Sequence, residues 1–167
     1  KAHVFLCGET GTGKEIVARM LRIGKKSDRP AAFYRLNCPL YDSAEAALEL
    51  FGDQSVGSGK AGLFTHSGSA VVYLASVDAL EIGLQDRIAA FLHKRSSDSQ
   101  LRVVASSLLD IDAALEAGKL SADFAACFSE RITLPSLRSR RGDIQLILQH
   151  FMSFYCRDYG LREKKFD

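Results

Sequence analysis

A glycine-rich segment near the start of the chain carries its strongest chemical signal. It directly follows the apolar run Val4–Cys7 and opens a stretch with helical periodicity. Glycines at this spacing let successive backbone N–H groups curl around phosphate oxygens, the start of a helix adds partial positive charge, and a lysine reaches the terminal phosphates. The sequence therefore predicts a phosphate-binding loop, or P-loop. Its residues are Gly8, Glu9, Thr10, Gly11, Thr12, Gly13, Lys14 and Glu15.

One position departs from the general P-loop pattern. Glu15 stands where a serine or threonine hydroxyl normally contacts magnesium. The alternative interpretation is a glycine-rich turn between a strand and a helix that binds nothing. The strand before the loop and the helix after it favour nucleotide or phosphate binding.

Apolar runs alternate with longer amphipathic stretches, which is typical of a parallel sheet covered by helices. The continuous apolar run Val4–Cys7 suits a central strand that is buried on both faces. Helical spacing is found in residues 16–21, 84–92 and 111–117, and a last helix is predicted from an N-cap at Asp143 to Gly160. Its apolar stripe indicates packing. The five predicted strands are Val4–Cys7, 33–36, 71–74, 102–105 and 132–134.

Composition excludes several classes of protein. The chain has 167 residues and a formal net charge of +2, which suits one globular domain and gives no broad field for nucleic acid or an anionic membrane. No apolar stretch approaches the roughly 20 residues of a membrane helix. The four cysteines lie far apart without metal-ligand spacing, so we expect no metal site, a reducing compartment and a cytoplasmic protein.

Several motifs together resemble the central AAA+ domain of bacterial enhancer-binding proteins, the NtrC-like activators of sigma-54 RNA polymerase. The stretches that carry the resemblance are 8–15, 17–19 (Val-Ala-Arg), 37–38 (Asn-Cys), 49–52 (Glu-Leu-Phe-Gly) and 137–144 (Leu-Arg-Ser-Arg-Arg-Gly-Asp-Ile). The resemblance implies an α/β fold, a three-layer P-loop NTPase with a parallel five-stranded sheet flanked by helices. It also implies a nucleotide-binding core over residues 1–142 and the start of a helical lid over 143–167, with most of the lid absent.

The family resemblance also implies an activity and partners. Such a domain is expected to form a ring of ATPase subunits with ATP between neighbours, and hydrolysis drives a loop against the sigma factor. The implied ligands are ATP or ADP. The implied partners are RNA polymerase or its sigma factor, further copies of the chain, other domains of the same regulator, and DNA through a C-terminal domain that is absent here.

The acidic pair that hydrolysis requires is missing from its family position. One carboxylate should hold magnesium and another should polarise the attacking water, directly after the third strand. The chain has Ala75 and Ser76 there. Asp78 and Glu81 follow, but the register places them beyond the strand tip, where they fit the capped first turn of the next helix. The resemblance therefore predicts no confident catalytic residue and makes bound Mg²⁺ doubtful.

Other family positions have also changed. The two arginines that a neighbouring subunit uses fall on Ser121 and Cys127, and the asparagine after the fourth strand falls on Leu108. Residues 53–61 are shorter than the family's Gly-Ala-Phe-Thr-Gly-Ala loop and contain no aromatic side chain. These losses predict a degenerate member that does not hydrolyse ATP or remodel sigma-54 polymerase in the usual way.

Three functional hypotheses remain open from the sequence. The first is a regulatory module that binds nucleotide without hydrolysis. The second is an active ATPase that uses Asp78 or Glu81, and the third is an interaction scaffold with a relic P-loop. A basic group at Arg138, Arg140 and Arg141 could serve an anionic ligand such as a cyclic dinucleotide, but an exposed polar turn before the last helix is the favoured explanation.

Overall fold

A computed structural model shows a five-stranded, wholly parallel sheet in the order β2-β3-β4-β1-β5. The structure describes residues 2–22, 31–53, 59, 61–65, 69–95 and 100–161. All five predicted strands are confirmed. Three of them extend beyond both predicted ends because the ladder continues past the predicted apolar runs, and the last strand begins two residues before its predicted start and ends one residue before its predicted end. The strands are β1 (Val4–Cys7), β2 (Ala32–Asn37), β3 (Ala70–Ala75), β4 (Leu101–Ser107) and β5 (Glu130–Thr133).

Burial follows the position of each strand in the sheet. β1 and β3 are buried along their whole length, whereas the edge strand β5 is exposed. A sheet with helices on both faces produces this pattern, because only its central strands lose water on both sides. The predicted α/β class is confirmed.

Six helices accompany the strands in the described part of the chain. The helix predicted over 111–117 is confirmed, whereas no helical element was predicted from residues 43–51 or 122–126. Asp42 and Glu45 form a capping box at the first of these, so the Asp-x-x-Glu pattern was a usable signal. The helices are α1 (Lys14–Met20), α2 (Ser43–Phe51), α3 (Ile82–Lys94), α4 (Ile111–Glu116), α5 (Ala122–Ala126) and α6 (Arg141–Asp158).

Two apolar clusters pack against the opposite faces of the sheet. The smaller cluster joins β1, β3 and β4 to α1 through residues such as Leu6, Tyr73 and Ala18. The larger cluster contains the buried sides of α2 to α5 and includes Phe64 and Phe124, which are fully buried. Helix α1, which follows the P-loop, therefore covers one face of the sheet, and helices α2 to α5 cover the other.

The chain divides into two compact units, Lys1–Leu134 and Pro135–Asp167. In the second unit α6 begins at Arg141 with Arg140 at its N-cap, so the prediction of Asp143 as N-cap is wrong. Asp143 lies instead in the first turn, where its carboxylate favours the positive end of the helix. Ile144 and Phe151 of the predicted stripe are 42% and 46% exposed. The division into a core over 1–142 and a lid over 143–167 stays a prediction.

Candidate functional site

The P-loop connects β1 to α1 through a tight backbone path. Gly8 has a φ of +148°, and a Cβ atom there would lie 2.8 Å from the carbonyl oxygen of Leu134. Backbone cannot give way as a flexible side chain can, so this position requires glycine. Gly11 and Gly13 also have positive φ, and Gly13 is the N-cap of α1. The structure thus brings the predicted loop residues together at the carboxyl end of β1.

Lys14 is folded against the loop that precedes it. Its Nζ donates to the carbonyl oxygens of Gly8 at 2.5 Å and Glu9 at 2.8 Å. Burial lowers the pKa of the Lys14 ammonium, while the nearby charges of Cys7 and Asp78 act in the opposite direction. The ammonium is therefore held at the P-loop by backbone acceptors that a phosphate oxygen can replace.

Glu15 forms ion pairs with two arginines. Its Oε1 lies 2.7 Å from Arg19 NH2, one turn along α1, and its Oε2 lies 3.3 Å from Arg35 NH1 on β2. Arg19 also lies over the ring of Phe33, 4.5 Å from the centroid. Both carboxylate oxygens of Glu15 thus already contact a cation.

A row of polar side chains crosses the carboxyl ends of β2, β3 and β4. Arg35 is the parallel register partner of Tyr73, and the Tyr73 hydroxyl lies 2.9 Å from Ser106 Oγ. The N–H of Ser76 donates to the same Ser106 oxygen at 3.4 Å. Burial raises the pKa of the Tyr73 phenol, so this hydroxyl is neutral at physiological pH. Sequence reasoning missed Arg35 and Tyr73, although Arg35 interrupts an otherwise apolar strand, and it considered Ser106 only as a weak replacement for the polar residue expected after the fourth strand.

An open cavity of about 340 Å³ lies between the P-loop and this polar row. Of the described residues that line it, Glu15 alone is acidic, and Lys14 and Arg35 are basic. A cavity of this size and charge suits a phosphorylated small molecule. Its lining residues are Thr10, Gly11, Gly13, Lys14, Glu15, Arg35, Asn37, Tyr73, Ala75, Ser76, Ser106 and Leu108.

The candidate acids Asp78 and Glu81 lie outside this lining. Asp78 belongs to a 3₁₀ turn, Val77–Ala79, and its Oδ1 is buried without a hydrogen-bond partner among the described residues. Glu81 is exposed at the N-cap of α3, and its side chain makes no capping hydrogen bond. The catalytic assignment of either acid stays a prediction.

The described lining of the cavity supplies several hydroxyl groups but only one carboxylate, that of Glu15, as possible ligands for a magnesium ion. Mg²⁺ in nucleotide sites is held by one or two carboxylates or hydroxyls together with phosphate oxygens. Ala75 ends β3 and Ser76 follows it, so no carboxylate lies at these two positions, and both oxygens of Glu15 are paired with arginines. Within the described ranges, no group of three or more His, Cys, Asp and Glu side chains could hold a metal.

Comparison with known proteins identifies the family. The model of the sigma-54 interaction domain matches residues 1–130. The chain belongs to this family. It is 29% identical to the sigma-54-dependent transcriptional regulator SfnR of Pseudomonas fluorescens, over 96% of this chain and 47% of SfnR. It is 27% identical to the regulatory protein AtoC of Escherichia coli, over 91% of this chain and 36% of AtoC. The sigma-54 interaction domain described here thus spans about half or less of the length of these relatives.

Solved structures show the same fold. NtrX from Brucella abortus in complex with ATP has a TM-score of 0.82 at 22% identity, over 99% of this chain and 39% of that protein. The RuvB Holliday junction branch migration motor of Thermotoga maritima has a TM-score of 0.60 at 14% identity, over 92% of this chain and 44% of RuvB. The predicted P-loop NTPase fold of the AAA+ class is confirmed.

The three positions that the resemblance aligns with two family arginines and an asparagine have structural roles of their own in this sigma-54 interaction domain. Ser121 is the N-cap of α5, where its hydroxyl accepts from Phe124 N–H at 3.0 Å. Cys127 ends the same helix, and its Sγ lies 3.6 Å from His93 Nε2. Leu108 is 56% exposed and lines the cavity beyond the end of β4. None of these three side chains can donate a charged hydrogen bond to a phosphate.

The loop over residues 53–61, predicted to replace the family's sigma-contacting motif, lies mostly outside the described residues, which omit 54–58 and 60. Its base is closed by an isolated antiparallel bridge between Gly52 and Ala61.

The basic group predicted as an alternative anion site belongs to the second unit, where Arg140 NH1 lies 3.9 Å from Asp143 Oδ2. The helices in the described ranges include none that is long and apolar enough to cross a membrane.

Proposed function

We propose that this sigma-54 interaction domain binds ATP or ADP as a regulatory ligand and does not hydrolyse ATP at the rate of an active family member. The binding part is supported by the P-loop of Gly8–Lys14 and by the cavity that it borders. The structures of Brucella abortus NtrX in complex with ADP and with ATP support the same ligand class.

A single observation carries the second part of the proposal: the cavity has no carboxylate at the end of β3. Ala75 and Ser76 line it where hydrolysis requires a metal ligand and a group that orients water. Asp78 does not replace them, because it lies in the following turn and outside the lining. The methyl group of Ala75 and the hydroxyl group of Ser76 can contact a bound nucleotide, but neither can activate the attacking water.

The substituted arginine positions lower the expected rate further. An arginine that neutralises charge on the transferred phosphoryl group contributes about 10³ to 10⁵ in kcat. Ser121 instead caps α5, and Cys127 packs beside His93. We therefore expect nucleotide to favour one conformation or assembly of the regulator through different affinities for the two states.

The partners follow from the family and belong to the same proposal. The intact regulator would contact sigma-54 RNA polymerase, other copies of itself and its own further domains, and it would reach DNA through a separate domain. Such a regulator acts where RNA polymerase is, in the cytoplasm. ATP binding alone would then control whether the regulator assembles on the polymerase.

Titration of the intact protein with ATP and ADP tests the binding part. We expect micromolar affinity for wild type and at least about tenfold weaker binding for Lys14→Ala, because one charge-assisted contact is lost. Lys94→Ala removes an exposed lysine from the end of α3 and serves as the matched control. If calorimetric titration detected no heat of binding with either nucleotide, the result would instead support an interaction scaffold whose P-loop no longer binds nucleotide.

Release of inorganic phosphate tests the hydrolysis part. We expect turnover at the level of Lys14→Ala for wild type. Turnover that Lys14→Ala abolishes would refute the non-hydrolysing proposal and favour the active ATPase. In that case Asp78→Asn and Glu81→Gln, assayed side by side, would show which acid supports the reaction.

A further inference from the structure

An arginine lines the cavity in which Ala75 and Ser76, at the end of β3, supply no carboxylate for a metal ion. Arg35 on β2 lines the cavity together with Thr10, Gly13 and Lys14 of the P-loop. Its side chain is 47% exposed, and its guanidinium is fixed at one end by Glu15 Oε2 at 3.3 Å. Two cations, Arg35 and Lys14, therefore line the same cavity.

We propose that Arg35 binds the terminal phosphate of the nucleotide in place of a divalent cation, so that nucleotide binding does not require Mg²⁺. This inference rests on the proposed nucleotide binding and names the cation that serves it. A guanidinium has five N–H donors in a fixed fork and binds phosphate oxygens in pairs. Glu15 contacts Arg35 through NH1, so the fork can remain paired with Glu15 and still donate to phosphate.

The neighbours of Arg35 hold it in this position. Glu15 is held from its other side by Arg19 at 2.7 Å, which keeps the carboxylate close to α1. Tyr73, the register partner of Arg35, also lines the cavity and is fixed by its hydrogen bond to Ser106. The strand and the paired carboxylate thus restrict the Arg35 guanidinium before ligand binds, which limits the conformational entropy that the side chain loses on binding.

The same contacts disfavour a metal ion. A magnesium ion at Glu15 would lie beside the Arg19 and Arg35 guanidinium groups that already contact the two carboxylate oxygens, and repulsion between these like charges disfavours it. The described lining of the cavity contains no second carboxylate, because Ala75 ends β3 and Ser76 follows it. Arginine supplies the positive charge without dehydrating a metal, and it does so with geometry that matches phosphate.

ATP titrations of the intact protein in Mg²⁺ and in EDTA test the inference. We expect the two dissociation constants of wild type to agree within about twofold. Arg35→Ala should weaken binding in EDTA by about tenfold or more, the loss of one charge-assisted contact. Arg131→Ala is a matched control, because Arg131 is 53% exposed, pairs with Asp112 at 3.2 Å and does not line the cavity. It should change the affinity by less than about twofold.

A double variant separates phosphate binding from simple neutralisation of Glu15. If Arg35 only neutralised Glu15, then Glu15→Gln would restore affinity to Arg35→Ala. If Arg35 contacts phosphate, the loss persists in the double variant. Arg35→Lys, which keeps the charge but not the fork, should give an intermediate affinity and remains informative where the alanine variant fails to fold.

The outcomes distinguish this inference from the proposed function. ATP binding that needs Mg²⁺, or Arg35→Ala binding like wild type in EDTA, would refute the role of Arg35 and leave nucleotide binding intact. Restoration of affinity by Glu15→Gln would also refute it. Absence of binding by wild type in both buffers would refute the proposed function and this inference with it.

Discussion

Gln85 connects three segments of the first unit, and replacing it with leucine should destabilise this unit strongly. The side chain is fully buried. Its Nε2 donates to the carbonyl oxygens of Leu80 at 2.9 Å and Lys119 at 3.0 Å, and its Oε1 accepts from Ser121 N–H at 2.9 Å. One amide therefore joins the start of α3 to the linker before α5.

The expected loss of stability follows from the groups that Gln85→Leu leaves behind. The Ser121 N–H and the carbonyl oxygens of Leu80 and Lys119 lose a partner, and a buried group left unpaired costs about 1 to 3 kcal/mol. The carbonyl oxygen of Val77, 3.4 Å from Nε2, keeps its hydrogen bond from Leu80 N–H. Carbonyl oxygens have a second acceptor site and leucine adds apolar burial, so the lower end of that range applies. We expect the free energy of unfolding to fall by about 3 kcal/mol.

Urea unfolding and hydrogen exchange together check this prediction. The free energy of unfolding should fall as stated, and the Ser121 amide should lose protection. Gln145→Leu makes the same chemical change at an exposed position of α6 and should stay within about 0.5 kcal/mol. A loss below about 1 kcal/mol with unchanged protection of Ser121 would refute the reasoning.

Three further predictions follow from other contacts. Gly62→Ala should lower the free energy of unfolding by about 3 kcal/mol or more in urea titrations, because the new Cβ would overlap backbone atoms that include Gly52 N; unchanged stability would contradict this packing. His3 should titrate near pH 4 by NMR, because burial lowers the pKa of its imidazole and Arg102 adds positive charge. Between pH 4 and about 6.5 the unfolded chain then binds more protons than the folded chain, so the free energy of unfolding should decline as the pH falls through this range. An ordinary pKa for His3 would exclude this burial. Cys127 should react first with a thiol reagent, because it is partly exposed and the other three cysteines are buried. Mass-spectrometric labelling should show this fast reaction in wild type and not in a Cys127→Ser variant. Early modification of Cys38, whose pKa burial raises to about 12, would count against the fold.

Much of the fold was predictable because its signals are local. The apolar run of β1 and the glycines that follow it identify a strand, a P-loop and a helix in order. The short helix α5 was missed because five residues are too few for a clear periodicity. The position of the last N-cap was wrong because Asp143 satisfies the capping preference, while the helix begins before it.

The sequence by itself determined the P-loop motif, the parallel α/β class and the absence of acidic side chains at positions 75 and 76. Each depends on residue types that are adjacent or regularly spaced along the chain. Only the tertiary structure decided that Arg35 lies at the same cavity as Glu15. That contact requires β2 to pair with β3 and α1 to cover the same face, and strand order is fixed by packing between distant segments. The positive charge that Arg35 adds beside the P-loop could therefore not be predicted from the sequence.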